Sequence, residues 1–155
     1  MGAIEASALG AAMRQSLWLY PIVEIVHLVG LALLFGSIAV LDLRLLGLSR
    51  SVPVRRLAAH VLPWTAGSFL LIVPSGLAMF AAHASDLIAN PVFAIKMGLI
   101  LAAGTNAALF HAGAFRGAAD WDIGRRPPVA ARIAALLSLA LWASVIACGR
   151  LLAYT

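Results

Sequence analysis

Charge is scarce in this sequence. Only 11% of its 155 residues are charged and 63% are hydrophobic, whereas soluble domains carry about 25% charged and about 45–50% apolar residues. That excludes an ordinary soluble domain. Cysteine is almost absent. The single Cys148 excludes an internal disulfide, a zinc-binding CxxC pair and a covalent CxxCH haem attachment, and within an apolar run it reads as a small buried hydrophobe. Also missing are a phosphate-binding glycine loop, a dinucleotide fingerprint, HExxH and G-x-S-x-G, so the common catalytic motifs contribute nothing. The net charge of +5 does not indicate nucleic acid, because the basic residues sit in short turns and no basic face with interleaved aromatics forms. Such turns are topology signals, and the lipid bilayer is the expected partner.

Long apolar runs are what the sequence has in abundance. Four can cross a bilayer, at about residues 17–48, 58–83, 92–115 and 130–152. Helical crossings satisfy their backbone internally and short turns join neighbours, which predicts an all-α, integral membrane, antiparallel four-helix bundle over residues 17–155. Residues 1–16 lack the charged start and compact apolar core of a signal peptide, and are expected to be a retained surface segment with a weakly amphipathic helix. Trp18 and Tyr20 mark an interface, Pro21 suits a first helical turn, and Pro74-Ser75-Gly76 should kink the second span. The third span is rich in glycine and alanine, which lets another helix approach closely. The first turn carries Arg50, Arg55 and Arg56, and the third carries Arg116, Arg125, Arg126 and Arg132. The second turn, ASDLIANP, has no basic residue, so both termini are expected on the side away from the cytoplasm.

Ionisable residues inside these spans are expensive in hydrocarbon, and each asks for a partner. With a rise of about 1.5 Å per residue, depth can be read from each span's end. Glu24, His27 and Lys96 then fall in an outer layer, Glu24 one helical turn above His27, and all three are expected to meet. His83 falls at the edge of that side, in water. Asp42, Arg44, His60, Asn106 and His111 form an inner layer. His60 and His111 share a level on different helices, the arrangement that axial ligation of one haem iron requires. His27 and His111 differ in depth by roughly 15–20 Å and cannot grip the same iron. Asp42 and Arg44, two residues apart, do not face each other on a helix, and a structural role is expected for both.

The segments YPIVEIVHLVGLALLFGSIAVLDLRLLG, LPWTAGSFLLIVPSGLAMF and NPVFAIKMGLILAAGTNAALFH together resemble a group of uncharacterised bacterial four-span membrane proteins, over about residues 17–115. That resemblance implies the bacterial inner membrane. More distantly, His27 and Lys96 (in FAIKMGLIL) look like the pattern of four-span haem-associated membrane proteins, among them the membrane protoporphyrinogen oxidase and the copper-resistance membrane domain. This likeness implies a b-type haem or porphyrin near His27 and Lys96. The oxidase activity is not carried over, because Leu45-Leu46 stands where the first helix of that family runs on to an aromatic-His end.

Three functions fit these residues. The first is a small b-type cytochrome or haem-binding subunit, which passes electrons to or from quinone or a partner protein. Haem b would be held by His60 with His111, or by His27 with Lys96 as second ligand or propionate partner. The second is a structural subunit packed against other membrane subunits or further copies of itself, with the polar layers fixing helix register. The third is a proton or metal transporter with Glu24, His27 and Lys96 as relay.

Overall fold

The computed structural model describes residues 2–154, which form helices and no strand among them. In chain order these are α1 (Gly2–Glu5), α2 (Ala8–Gln15), α3 (Leu19–Leu46), α4 (Val54–Ala82), α5 (Ala84–Ala89), α6 (Pro91–Ala112), a 3-10 segment (Ala114–Trp121) and α7 (Val129–Leu151). The apolar runs give α3, α4, α6 and α7, each long and apolar enough to cross a membrane. Large hydrophobic residues such as Leu70, Leu101 and Leu109 face outward. Helices apolar on every side belong in lipid. The chain is therefore a multi-pass membrane protein.

Element ends follow local chemistry. α4 starts at Val54, four residues before the position expected from hydropathy. Pro53 holds extended backbone ahead of it, and the Asp122 carboxylate accepts from the Arg55 N–H at 2.8 Å, so one of the orphan donors of the first turn is satisfied from a distant segment. The connection expected between the second and third spans is itself helical, α5. α6 then begins with Pro91 in its first turn, behind Asn90, whose side chain accepts from Val92 N–H at 2.9 Å.

The four long helices close three sides of a square. α3 packs along α4 on one side and α7 on the other, and α6 packs along α7. α4 and α6 make no backbone contact among the described residues. The closest side is α3 against α4, and Gly30 is the reason. A Cβ there would come within 2.7 Å of Ile72 Cγ1 and 3.1 Å of Leu71 Cβ, so only a residue without a side chain lets the two backbones approach this far. Three apolar clusters stack along the bundle. One centres on Met13, Ala78 and Ala82, a second on Leu34, Ala103, Trp142 and Val145, and the third on Leu41, Leu45, Val54, Phe110 and Trp121.

The N-terminal segment is docked rather than loose. Met13 is buried against Tyr20, Val23 and Met79. Arg14 donates to the Ala82 carbonyl at the C-terminal end of α4 (3.0 Å) and to Glu5 O (2.6 Å), as a cation at a helix C-terminus should. Its charge thus closes a helix end instead of facing headgroups. Glu5 Oε1 accepts from the Ser85 N–H at 2.7 Å, at the start of α5.

The opposite end is built on Arg44, which is 2% exposed. Its Nε donates to Val52 O (2.7 Å), and its Nη2 to Asp122 O (3.0 Å) and Arg50 O (3.3 Å). One guanidinium thereby ties the turn after α3 to the segment before α7. Gly124 N donates to Arg50 O and Val54 N to Asp122 O across the same junction.

Two outcomes follow. Arg44→Met keeps bulk but removes the donor of Val52 O and one of the two donors to Asp122 O and Arg50 O, and should lower unfolding free energy in detergent by about 3 kcal/mol, since one hydrogen bond to a charged group is worth about 1.5–3 kcal/mol. The Ser85 amide beside Glu5 holds its carboxyl below the usual glutamate range. A depressed carboxyl stabilises the docked form above its undocked pKa, and that contribution is lost as pH falls through the docked value. Hydrogen exchange in α1 and α5 should therefore speed up on acidification through the glutamate range, and Glu5→Gln should remove that pH dependence.

Candidate functional site

Two cavities lie along the open side of the square. The larger, about 1110 Å³, sits at the α5 end and is bounded by all four long helices. Each helix contributes one face at helical spacing. α3 offers Tyr20, Glu24, His27 and Leu31, and α4 offers Gly76, Met79 and Phe80, with His83 just past its end. α6 offers Val92, Phe93 and Lys96, and α7 offers Val145, Gly149 and Arg150. The Phe80 and Phe93 rings stack across the gap between α4 and α6 at 5.8 Å between centroids and 20° between planes. That stack gives the cavity an aromatic wall where the backbones part.

His27 is held with one nitrogen occupied. Its Nδ1 lies 2.9 Å from Ser75 Oγ, and its ring covers Gly76, where a Cβ would stand 3.3 Å from His27 Cε1. A serine hydroxyl has a single proton. Ser75 bonds back to the Leu71 and Ile72 carbonyls of its own helix, the usual behaviour of a serine in a helix interior. With that proton committed, Oγ accepts from His27, so Nδ1 carries the hydrogen of the neutral imidazole and Nε2 keeps a lone pair. This is the second-shell arrangement found behind histidines that bind a metal or take a proton.

Lys96 reaches across to α7, its Nζ 3.6 Å from where a Gly149 Cβ would be. Among the described residues it makes no hydrogen bond or ion pair, and Cys148 is its only near electrostatic neighbour besides His27. Glu24, His27 and Lys96 do line one cavity, and among the described residues Glu24 and Lys96 form no ion pair. His83, expected in water, packs its ring edge-on to Tyr20 at 5.8 Å and lines the same space. Arg150 hydrogen-bonds the Tyr154 hydroxyl and lies 4.8 Å from the centre of that ring.

The smaller cavity, about 170 Å³, lies toward the Arg44 end and holds Asp42, Asn106 and His111 among its lining residues. The pairing expected of His60 with His111 does not arise. His60 is exposed on α4 and lines neither cavity, whereas the His111 ring is wedged edge-on against Phe110 and Phe115 at 5.2 and 5.1 Å. The two share a depth but not a direction around the bundle. Asn106 supports neither histidine, and its Nδ2 donates to Ala134 O at 2.9 Å, tying α6 to α7. Among the described residues no group of three His, Cys, Asp or Glu side chains could hold a metal ion.

Ser75 is the functional neighbour that sequence reasoning missed. The Pro74-Ser75-Gly76 triplet signals a disturbed helix, but not that its serine and glycine would receive His27.

The model of a family of unknown function, DUF6644, matches residues 4–155. The chain belongs to that family. Comparison with curated proteins and with solved structures gives no match. Membership agrees with the resemblance to uncharacterised four-span membrane proteins and extends it to the docked N-terminal helices and α7. No haem-associated protein is among the matches.

Ser75→Ala removes the acceptor that fixes the His27 tautomer. The ¹⁵N spectrum of histidine-labelled protein should show His27 as the Nδ1-protonated form in the parent and as a mixture in the variant. An unchanged His27 signal would overturn the tautomer assignment.

Proposed function

We propose that this chain is a small membrane haem-binding subunit of the b-type cytochrome kind. In this reading haem b occupies the large cavity, and electrons pass to or from quinone or a partner protein. The observation that carries the reading is a cavity of about 1110 Å³ with one anchored histidine and an unpaired lysine. Ordinary ligand pockets span about 300–1,000 Å³, so this volume suits a large, flat, mostly apolar molecule. His27 would hold the haem iron through Nε2, with Ser75 orienting the ring from its other nitrogen. Lys96 serves as second ligand or, with Arg150, as counter-charge to carboxylates carried by the guest. Haem would supply a one-electron couple whose potential depends on axial ligand and burial. Phe80 and Phe93 keep water from the α4–α6 side, and Glu24 and Asp86 at the wall leave the site with charges of both signs. In this reading the arginine-rich end faces the cytoplasm of a bacterial inner membrane and both termini face the periplasm.

A second reading, an accessory subunit of a larger complex, draws on α6. Cβ atoms built at Gly98 and Gly104 would meet nothing within 4 Å. Gly98 therefore takes no part in packing inside the bundle, and it leaves room on its side of α6 for a helix of another subunit.

A reduced-minus-oxidised absorption spectrum of detergent-purified protein, grown with ample haem, separates the two. The haem reading expects sharp Soret and α bands, lost in His27→Ala and retained in His60→Ala. In Lys96→Gln, haem affinity should fall by about tenfold. A featureless spectrum from folded protein would leave the accessory reading in front.

A further inference from the structure

The small cavity contains a buried charge that the haem reading does not use. Asp42 is 6% exposed, and its Oδ2 has no hydrogen-bond partner. The Ser138 hydroxyl of α7 shares the cavity wall with this carboxyl. An ionised carboxylate in a low-dielectric interior is costly unless something of opposite charge stands beside it. None of the described residues on the cavity wall does. His111 is the only other titratable side chain on the cavity wall, and it is engaged by two phenylalanine rings rather than by Asp42.

A proton count around the space points one way. Asn106 donates through Nδ2 to Ala134 O, so its Oδ1 is left as an acceptor. Thr65 Oγ1 donates to Val61 O at 3.1 Å, and Ser37 Oγ lies 2.7 Å from both Leu33 O and Thr65 Oγ1. Two hydroxyl protons therefore serve helix carbonyls and the Ser37–Thr65 link, and none is left over. Oxygen atoms of α3 (Ser37, Asp42), α4 (Thr65), α6 (Asn106) and α7 (Ser138) line the space, with the second amide hydrogen of Asn106 and the His111 ring beside them. A volume of about 170 Å³ is many times the roughly 10–15 Å³ that one water needs. A proton on Asp42 would satisfy one oxygen and leave the remaining lone pairs and the space unaccounted for. A hard monovalent cation, with its own waters, answers the charge, the lone pairs and the volume together, because such ions take carboxylate, carbonyl, amide and water oxygens.

We propose that the small cavity is a sodium-binding site, with Asp42 as its charge and Asn106 and Ser138 as neighbouring oxygen groups, separate from the large cavity and independent of what that cavity holds.

The test uses the full chain in detergent. Sodium chloride is exchanged for choline chloride at constant ionic strength while thermal unfolding is followed, and binding of radiolabelled sodium to the parent protein is measured at equilibrium. Saturable binding of a single sodium is expected, together with an unfolding temperature that rises with sodium and then levels off. Asp42→Asn should abolish both effects and unfold, without sodium, no earlier than the parent does with it. Ser138→Ala should weaken binding by about tenfold, which keeps the test decisive if Asp42→Asn does not fold. His27→Ala, altered in the other cavity, should retain the full sodium effect. Absence of saturable binding to the parent overturns the proposal. So does a sodium effect that survives in Asp42→Asn.

Discussion

Hydrocarbon offers no hydrogen bonds, and every polar group that enters it must be answered by the protein. Most of this chain's intramembrane hydroxyls answer themselves. Ser68 and Ser75 bond back to carbonyls of their own helix, as do Thr65 and Thr105. Asn106 and the Ser37–Thr65 pair reach a neighbouring helix instead. Arg44 gathers the carbonyls of two turns, and among the described buried side-chain atoms only Asp42 Oδ2 and Arg44 Nη1 are left without a partner. The arginine lies at a polar end of the bundle, whereas the aspartate lies against an internal space. The same rule therefore produces a structural clamp in one place and a candidate site in the other.

The second determinant is a contact that is missing. Because α4 and α6 do not pack backbone to backbone, the square of helices has one open side, and both cavities lie along it. Gly30 draws α3 onto α4, while Asn106 fastens α6 to α7. The two pairs are thereby held tightly within themselves, and among the long helices they meet backbone to backbone only where α3 packs on α7, with the Phe80–Phe93 stack bridging the open side. Volume in this bundle is a product of where the close contacts are, not of bulky residues holding helices apart.

The four crossings and their turns were legible in the sequence because hydropathy reports on length and depth. Direction around a helix was not. In a soluble helix the polar face betrays the buried one, but α3 and α6 are apolar on all sides, and lipid-facing and protein-facing positions look alike. Hence Glu24, His27 and Lys96, chosen by depth, do share a cavity, whereas His60 and His111, chosen by the same argument, do not. The docking of residues 2–15 was equally hidden, since it rests on Arg14 and Glu5 meeting the ends of α4 and α5. His27's partner could have been suspected from Ser75 and Gly76 standing beside a proline, where a helix most often admits a neighbour's side chain.

The lopsided packing of α6 also bears on how the protein is made. As the chain emerges, α3 and α4 can zip together as soon as both have entered the bilayer, with Gly30 already facing its groove. α6 then arrives with no membrane-spanning helix to lean on, because its one such neighbour, α7, is still unsynthesised. Until the last helix follows, Lys96 and Asn106 reside in the membrane without the α7 groups beside them. Assembly of the cavities is thus deferred to the end of translation, and a chain truncated before α7 would leave a sound hairpin beside an orphaned third crossing.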